Sequence, residues 1–269
     1  MKTEKKWILA QKEELACWES NTQKLNTQSY EKIKKEYWQR ILKKASVGID
    51  ELSFTKVLEV WCGPTGIFMC LDPSKKDGRY ILLDPLVEDY KKITPRYFWN
   101  EMLISKPIED VDGLENEQYI FAINCIDHAH DIDKFLQKIH SFSNENTKIF
   151  IAVNTHNYSG LAHFWKIFQK LLEPLHPYHF TENEYTTLFS NSFNIEKIED
   201  IEEDIIWINN LTRTQKDASL IGSIKWAISK LHPRTLFFKS FEIFGYPVHD
   251  FKGVWNSIYA HKLYILTKK

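Results

Sequence analysis

Cysteine is scarce in this chain of 269 residues, and the four cysteines present show no metal-binding spacing. Cys17, Cys62, Cys70 and Cys125 form no Cys-x-x-Cys pair, and no His-x-x-x-His accompanies them. We therefore expect no zinc site, and a chain of this length does not depend on a disulfide scaffold. Free thiols and the lack of a secretory h-region predict a cytoplasmic protein.

The sequence also lacks an excess of either charge and lacks long apolar runs. Its 35 Lys and Arg balance 36 Asp and Glu, which leaves a formal net charge of -1. Two locally basic stretches, "EKIKKEYWQRILKK" and "KLHPRTLFFK", are typical of solvated helix faces. No apolar run reaches the roughly 18 to 20 residues of a membrane span. We expect neither a nucleic-acid partner nor a membrane span, and the oligomeric state stays open.

What the sequence does contain is a helical start followed by alternating strands and helices. The stretch "SYEKIKKEYWQRILKKA" places Tyr30, Ile33, Tyr37 and Ile41 on one helix face, with a predicted start near Ser29. From residue 56 onward, buried apolar strands alternate with helices, which predicts an α/β doubly wound, Rossmann-like parallel sheet covered on both faces. The predicted strands are "KVLEVW", "RYILLDP", "EMLISK", "YIFAINCID" and "TKIFIAVN".

The later part of the chain has a different character. Helices are predicted over "SGLAHFWKIFQKLLEP", over the stretch capped by Thr181 and Glu184, and over "SLIGSIKWAISKL". A charged, alternating edge strand is expected in "FNIEKIEDIEED", and "HKLYILTKK" closes the chain as a strand. We divide the chain into a helical cap (1–50), a core (51–211), a helical and aromatic lid (212–258) and the last core strand (259–269).

A glycine turn follows the first strand, in "KVLEVWCGPTGIF". Gly63 and Gly66 allow backbone to approach a ligand closely, and Glu59 on the strand can face it. Asp84, at the end of the next strand, follows Glu59 by about 25 residues, the kind of separation expected for a carboxylate that binds ribose hydroxyls. The turn does not spell the G-x-G-x-x-G of nicotinamide-dependent enzymes, so that class ranks third.

The pattern acid-x-x-Cys-Gly-Pro-x-Gly resembles motif I of the class I S-adenosylmethionine-dependent methyltransferases. "LLDP", "KPIEDV" and "YIFAINCIDHAHDIDKFL" resemble the later motifs of the type-11-like subgroup, and "HPYHFTENEYTTLF" resembles its segment before strand six. The resemblance spans residues 56 to about 200 and the last strand, and it implies S-adenosylmethionine as cofactor and an antiparallel last strand. It also implies a set of cofactor residues: Glu59, Gly63 and Gly66 at the methionine end, Asp84 at the ribose, Ile108 and Glu109 at the adenine, and Asn124 beside the sulfonium.

Trp61 departs from the family pattern, in which this position is commonly glycine. Its indole could point away from the ligand and leave the site open, or it could narrow the pocket. A domain that keeps the fold but only binds a ligand or a protein partner is therefore the main alternative to an enzyme.

Methyl transfer needs a close approach of nucleophile and methyl group and, for a hydroxyl acceptor, a base. His128 and His156 are the predicted bases, because both lie near the carboxyl ends of predicted strands. Predicted acceptor-binding residues are Tyr37, Trp38, His130 and Asn154. No metal is expected. The aromatic tract 235–251 is predicted as core or lid, so we expect a small, partly apolar acceptor methylated at oxygen, with nitrogen and carbon left open.

Overall fold

The computed structural model describes residues 2–71, 79–98, 102–156, 178, 180–213 and 259–269. Within these ranges the chain forms one seven-stranded sheet flanked by helices. The strands are Val57–Val60 (β1), Tyr80–Leu83 (β2), Met102–Ile104 (β3), Tyr119–Ile123 (β4), Lys148–His156 (β5), Phe193–Asp200 (β6) and Tyr259–Lys268 (β7).

The strand order is β3-β2-β1-β4-β5-β7-β6. Strands β1 to β5 are mutually parallel, whereas β7 runs antiparallel to both β5 and β6. The order reverses between β1 and β4, and ligands of such sheets bind outside the carboxyl ends of the strands at this point. The predicted doubly wound sheet, its antiparallel last strand and the charged edge strand β6 are all confirmed.

The central strands are buried on both faces of the sheet. Every residue of β1 and β2 is buried, which explains why these strands read as continuous apolar runs. One face carries a core that includes Phe121 and Phe150. The other carries a core that includes Ile120 and Ile151.

The predicted helices that fall within the described ranges are present, with small shifts at their ends. The helix over Glu202–Arg213 was not predicted, because its first residues were assigned to the charged strand, which ends at Asp200. The helix with the apolar stripe begins at Gln28, one residue before the predicted start at Ser29, and is capped by the Thr27 side chain, which accepts from the Tyr30 N–H. Thr181 and Glu184 form the predicted capping box. In the described ranges the α-helices are Lys2–Ser20 (α1), Thr22–Leu25 (α2), Gln28–Lys44 (α3), Ile49–Ser53 (α4), Val87–Ile93 (α5), Ile132–Phe142 (α6), Glu182–Ser190 (α7) and Glu202–Arg213 (α8).

Several predicted elements lie outside the described residues. They are the helices over 159–174 and 219–231, the aromatic tract 235–251 and all but the first two residues of the predicted lid 212–258. The boundaries proposed for the cap, core and lid stay predictions. Among the helices that the structure does describe, none has both the length and the apolar character needed to cross a membrane.

Candidate functional site

The turn after β1 is built from two residues in the left-handed region, Trp61 (φ 49°) and Gly63 (φ 59°). The Trp61 N–H donates to the Leu83 carbonyl at 2.6 Å, which ties the turn to the end of β2. A side chain at Gly63 would meet no atom within 4 Å, so this glycine faces open space. A left-handed tryptophan costs about 1–2 kcal/mol, and such strain persists only where the surroundings enforce it.

The Trp61 indole stacks on Phe135 of α6, with ring centroids 5.6 Å apart and planes 17° from parallel. It packs against the core on that face of the sheet and also borders the cavity described below. The side chain therefore lies beside the cavity, with one face covered by Phe135. A helix is expected after the turn. Up to Leu71, where this described range ends, the structure has a single 3-10 turn over Ile67–Cys70.

The Glu59 side chain stabilises this turn by accepting hydrogen bonds from the backbone that follows it. Its Oε1 accepts the Ile67 N–H at 2.7 Å, and its Oε2 accepts the Phe68 N–H at 3.2 Å and the Tyr80 hydroxyl at 2.9 Å. Burial raises the pKa of Glu59 to about 7, against the lowering effect of these bonds. A Cβ at Gly66 would run into the Glu59 carboxylate and lie 2.7 Å from the Cys62 carbonyl oxygen. Gly66 is thus required to make room for Glu59, and Gly63 for the shape of the turn.

Asp84 joins the end of β2 to the same turn. Its Oδ2 accepts the Gly63 N–H at 3.2 Å, and its Oδ1 accepts the Leu86 N–H at 2.8 Å. The side chain is only 3% exposed. Burial, and to a lesser degree the nearby carboxylate of Glu14, raises the pKa of Asp84 to about 8.

Helix α1 covers this part of the site. The Tyr90 hydroxyl donates to Glu14 Oε1 at 2.9 Å, and the Trp18 indole N–H approaches the same oxygen at 3.4 Å. Farther along the helix, the Trp7 ring meets the His130 ring edge-on, with centroids 6.4 Å apart. The N-terminal segment therefore lies near the carboxyl edge of the sheet.

The residues predicted to contact the adenine follow β3 in the chain, in a 3-10 turn over Ile108–Asp110. Ile108 is fully buried, and Glu109 is 4% exposed. Glu109 Oε1 accepts the backbone N–H groups of His130 at 2.9 Å and Asp131 at 3.3 Å. Its Oε2 is buried and has no hydrogen-bond partner among the described residues. One carboxylate oxygen therefore orders the loop before α6, while the other remains able to accept from a donor that enters the site.

Two asparagines lie at or near the carboxyl ends of the central strands. Asn124, just past β4, is left-handed (φ 53°), and its N–H donates to the Ala152 carbonyl at 2.9 Å. Asn154 lies within β5, directly opposite His261 of β7. The side-chain oxygens of both asparagines are buried and unpartnered within the described part of the chain. Such atoms cost free energy unless a donor reaches them, so they are candidates for ligand contact.

A cavity of about 500 Å³ opens at this edge of the sheet, within the usual range of ligand pockets. Its walls are α3, α8, the turn after β1 and the end of β4. Tyr37 and Trp38, the two aromatic residues proposed as acceptor contacts, both border it, and the Trp38 indole N–H donates to the Thr65 carbonyl at 2.8 Å. Lys34 adds a cation, its Nζ lying 4.8 Å from the Trp38 ring centroid. Burial lowers the pKa of Lys34 to about 8.

The predicted bases lie elsewhere. His128 is partly exposed, and its Nε2 lies 3.9 Å from Asp127 Oδ1. His156 is buried, and its backbone N–H donates to the Phe180 carbonyl. The predicted strand ends before His156, whereas in the structure His156 is the last residue of β5. His130 contacts α1. None of these three histidines is among the described residues that border the cavity.

A fourth histidine does border the cavity, and sequence analysis missed it. His261 stands near the start of β7, with its Nδ1 2.5 Å from Glu202 Oε2. The position of His261 could have been predicted in part. An antiparallel last strand begins at the edge where the parallel strands end, so a residue near its start lies at the ligand-binding edge. The partner was not visible, because Glu202 precedes His261 by 59 residues and no local pattern connects them.

Comparisons with known proteins identify the architecture. No protein-family model and no curated protein matches the sequence. Among solved structures, coclaurine N-methyltransferase bound to N-methylheliamine and SAH superposes with a TM-score of 0.60 at 15% identity, covering 87% of this chain and 72% of that one. A phosphoethanolamine N-methyltransferase of Haemonchus contortus, in complex with S-adenosylhomocysteine, gives 0.58 at 13% identity, covering 80% and 49%.

Geranyl diphosphate C-methyltransferase from Streptomyces coelicolor, also in complex with S-adenosylhomocysteine, gives a TM-score of 0.53 at 10% identity and covers 86% of this chain and 80% of that one. At identities of 10 to 15%, the likeness to these structures concerns architecture alone. The chain has the class I S-adenosylmethionine-dependent methyltransferase fold.

Proposed function

We propose that this protein is an S-adenosylmethionine-dependent methyltransferase that acts on a small, partly apolar molecule, with transfer to oxygen. The observation that supports it most is the cavity at the carboxyl edge of β1 and β4, which the glycine turn and Asn124 both border. Ligands of this sheet type bind at that edge. The three methyltransferases described above act at nitrogen or carbon, so the choice of oxygen rests on this chain's own residues.

The residues present fit such a cofactor. Gly63 faces open space, Asn124 presents an unpartnered oxygen, and Glu109 Oε2 could accept from an exocyclic amine. Asp84 uses one lone pair on each oxygen for backbone N–H groups, which leaves acceptor capacity for ribose hydroxyls. The full proposed set is Glu59, Gly63, Gly66, Asp84, Ile108, Glu109 and Asn124, and within it Glu59 and Gly66 act by shaping the turn.

Bound at this edge, the cofactor would supply an electrophilic methyl group on a sulfonium. The protein contributes position and exclusion of water. Tyr37 and Trp38 offer flat apolar surface to an acceptor, with Lys34 beside them. His130 and Asn154 as acceptor contacts, and His128 and His156 as bases, stay predictions, and none of them borders the cavity among the described residues.

Calorimetric titration with S-adenosylmethionine and with S-adenosylhomocysteine tests the proposal, with NADH as control. Micromolar binding of the first two alone is the expected result. A folded protein that binds neither would overturn the proposal and favour the alternative, a protein of this fold that binds another ligand or a partner.

Asp84→Ala tests the ribose assignment in the same instrument. It should weaken S-adenosylhomocysteine binding by about 1–3 kcal/mol, because two ribose hydroxyls lose their carboxyl acceptor. Asp89→Ala is a suitable control, because Asp89 is an exposed residue of α5 paired with Lys92. Equal affinity in wild type and Asp84→Ala would show that Asp84 serves the fold only.

A further inference from the structure

His261 and Glu202 form a buried pair behind the cavity. The two side chains are 7% and 2% exposed, and Glu202 Oε2 contacts both the ring Nδ1 of His261 at 2.5 Å and its backbone N–H at 2.9 Å. One oxygen thus fixes the residue through main chain and side chain together. The ring has little freedom to turn.

The junction between β6 and α8 holds this pair in place. The Glu202 N–H donates to Asp200 Oδ1 at 2.9 Å, and the Ile201 N–H donates to the His261 carbonyl at 3.1 Å. Ile201 is fully buried beside them. Glu202 is therefore set by its own backbone, and His261 is attached to that backbone in turn.

The contact with Glu202 determines the tautomer of the ring. A carboxylate can only accept, so the proton of a neutral His261 ring resides on Nδ1. The lone pair then belongs to Nε2. In the triad of hydrolytic enzymes, a buried carboxylate holds a histidine base by this same arrangement.

The ring borders the same cavity as part of the proposed cofactor set and as two of the proposed acceptor residues. His261, Asn124, Gly63, Tyr37 and Trp38 all border it. No other histidine in the described part of the chain does so. A base for an acceptor in this cavity is therefore available at β7.

We propose that His261, positioned by Glu202, is the general base, and that the acceptor is a neutral hydroxyl compound; this rests on the proposed function. His261 Nε2 takes the hydroxyl proton as the acceptor oxygen bonds to the methyl carbon. The electron pair of the broken carbon–sulfur bond stays on sulfur. The resulting imidazolium faces Glu202 and later releases its proton to solvent.

The first test needs neither cofactor nor acceptor. Nitrogen-15 NMR of the histidine-labelled full-length protein should show the Nδ1–H tautomer for His261. Glu202→Ala should lose that preference, whereas His140→Gln, a change in the distant helix α6, should leave it intact. An Nε2–H tautomer in the wild-type protein would overturn the proposal whether or not the cofactor binds.

The second test uses catechol, a neutral hydroxyl probe, and benzoate, an anion that needs no base. His261→Gln should lower kcat for catechol by about 100- to 10,000-fold and leave S-adenosylhomocysteine affinity unchanged. Glu202→Gln should lower kcat by about tenfold or more with KM retained. His140→Gln is expected to behave as wild type.

The outcomes separate this proposal from the proposed function. If S-adenosylhomocysteine binds and His261→Gln methylates catechol at the wild-type rate, the base is overturned while the methyltransferase assignment stands. If neither probe is methylated, catechol should still shift the His261 Nε2 resonance of the S-adenosylhomocysteine complex, and the lack of a shift at saturation counts against the proposal. If no cofactor binds, the proposed function fails first.

Discussion

Gly66→Ala tests the arrangement of the turn most directly. The backbone at Gly66 (φ -81°, ψ -167°) is open to any residue, so the substitution causes no conformational strain of its own. Its effect comes from the new Cβ, which would clash with the Glu59 carboxylate and lie 2.7 Å from the Cys62 carbonyl oxygen. The carbonyl belongs to a turn anchored on Leu83, so the carboxylate is the group that must move.

The magnitude follows from what Glu59 would lose. Its carboxylate accepts the Ile67 and Phe68 N–H groups and the Tyr80 hydroxyl, all buried. A buried donor left without its partner costs about 1–3 kcal/mol. Displacement that breaks two of these bonds therefore destabilises the protein by about 2–6 kcal/mol, a large part of the roughly 5–15 kcal/mol that holds a typical domain folded.

Urea unfolding followed by tryptophan fluorescence measures this free energy. Gly63→Ala is the matched control, because its Cβ would enter open space and only the positive φ opposes it, at about 1–2 kcal/mol. In a double-mutant cycle, Gly66→Ala should cost less in a Glu59→Ala background, since the main clash is gone. A loss for Gly66→Ala no greater than that for Gly63→Ala, or strict additivity with Glu59→Ala, would refute the reasoning.

Two further predictions concern the buried carboxylates and α1. The pKa values of Glu59 and Asp84 are raised to about 7 and about 8, so the folded state keeps protons that the unfolded chain has released, and the free energy of unfolding should fall as pH rises from about 4 to about 8. Asp84→Asn should flatten that slope in urea unfolding at several pH values; an unchanged slope contradicts it. Helix α1 covers this part of the site, and Tyr90→Phe removes the hydrogen bond that ties Glu14 of α1 to α5. Because α1 is then held less firmly, S-adenosylhomocysteine should associate about tenfold faster in stopped flow, whereas Tyr97→Phe should leave the rate unchanged.

The framework of this fold was predictable because it depends on local signals. Continuous apolar runs such as that of β2 mark strands buried on both faces, and the capping box at Thr181 marks a helix start. The length of β5 was not predictable in the same way. Its last residues, Asn154 to His156, are polar, and they remain in the strand because β7 pairs with them. Pairing between distant segments extends a strand where the local pattern ends.

The same distinction between local and long-range signals applies to the site. The glycine turn and Asp84 are predictable from their spacing in the sequence, whereas the pair of His261 and Glu202 forms only when β6, α8 and β7 pack together. Gly66, predicted as a ligand contact, has a structural role that the motif did not predict. Its missing side chain makes room for Glu59, a contact with the protein's own carboxylate that the motif alone does not reveal.

Buried carboxylates along this edge share one structural task. Glu59, Asp84, Glu109 and Glu202 each accept at least one backbone N–H, from the turn, the loop after β2, the loop before α6 and the start of β7 respectively. Acidic residues that a motif assigns to a ligand are thus also the anchors of the loops that surround it. Asn or Gln substitutions keep an acceptor for those N–H groups but remove the charge, whereas Ala removes both. Comparing the two at one position therefore separates anchoring, which only Ala should damage severely, from charge-dependent binding, which both should weaken.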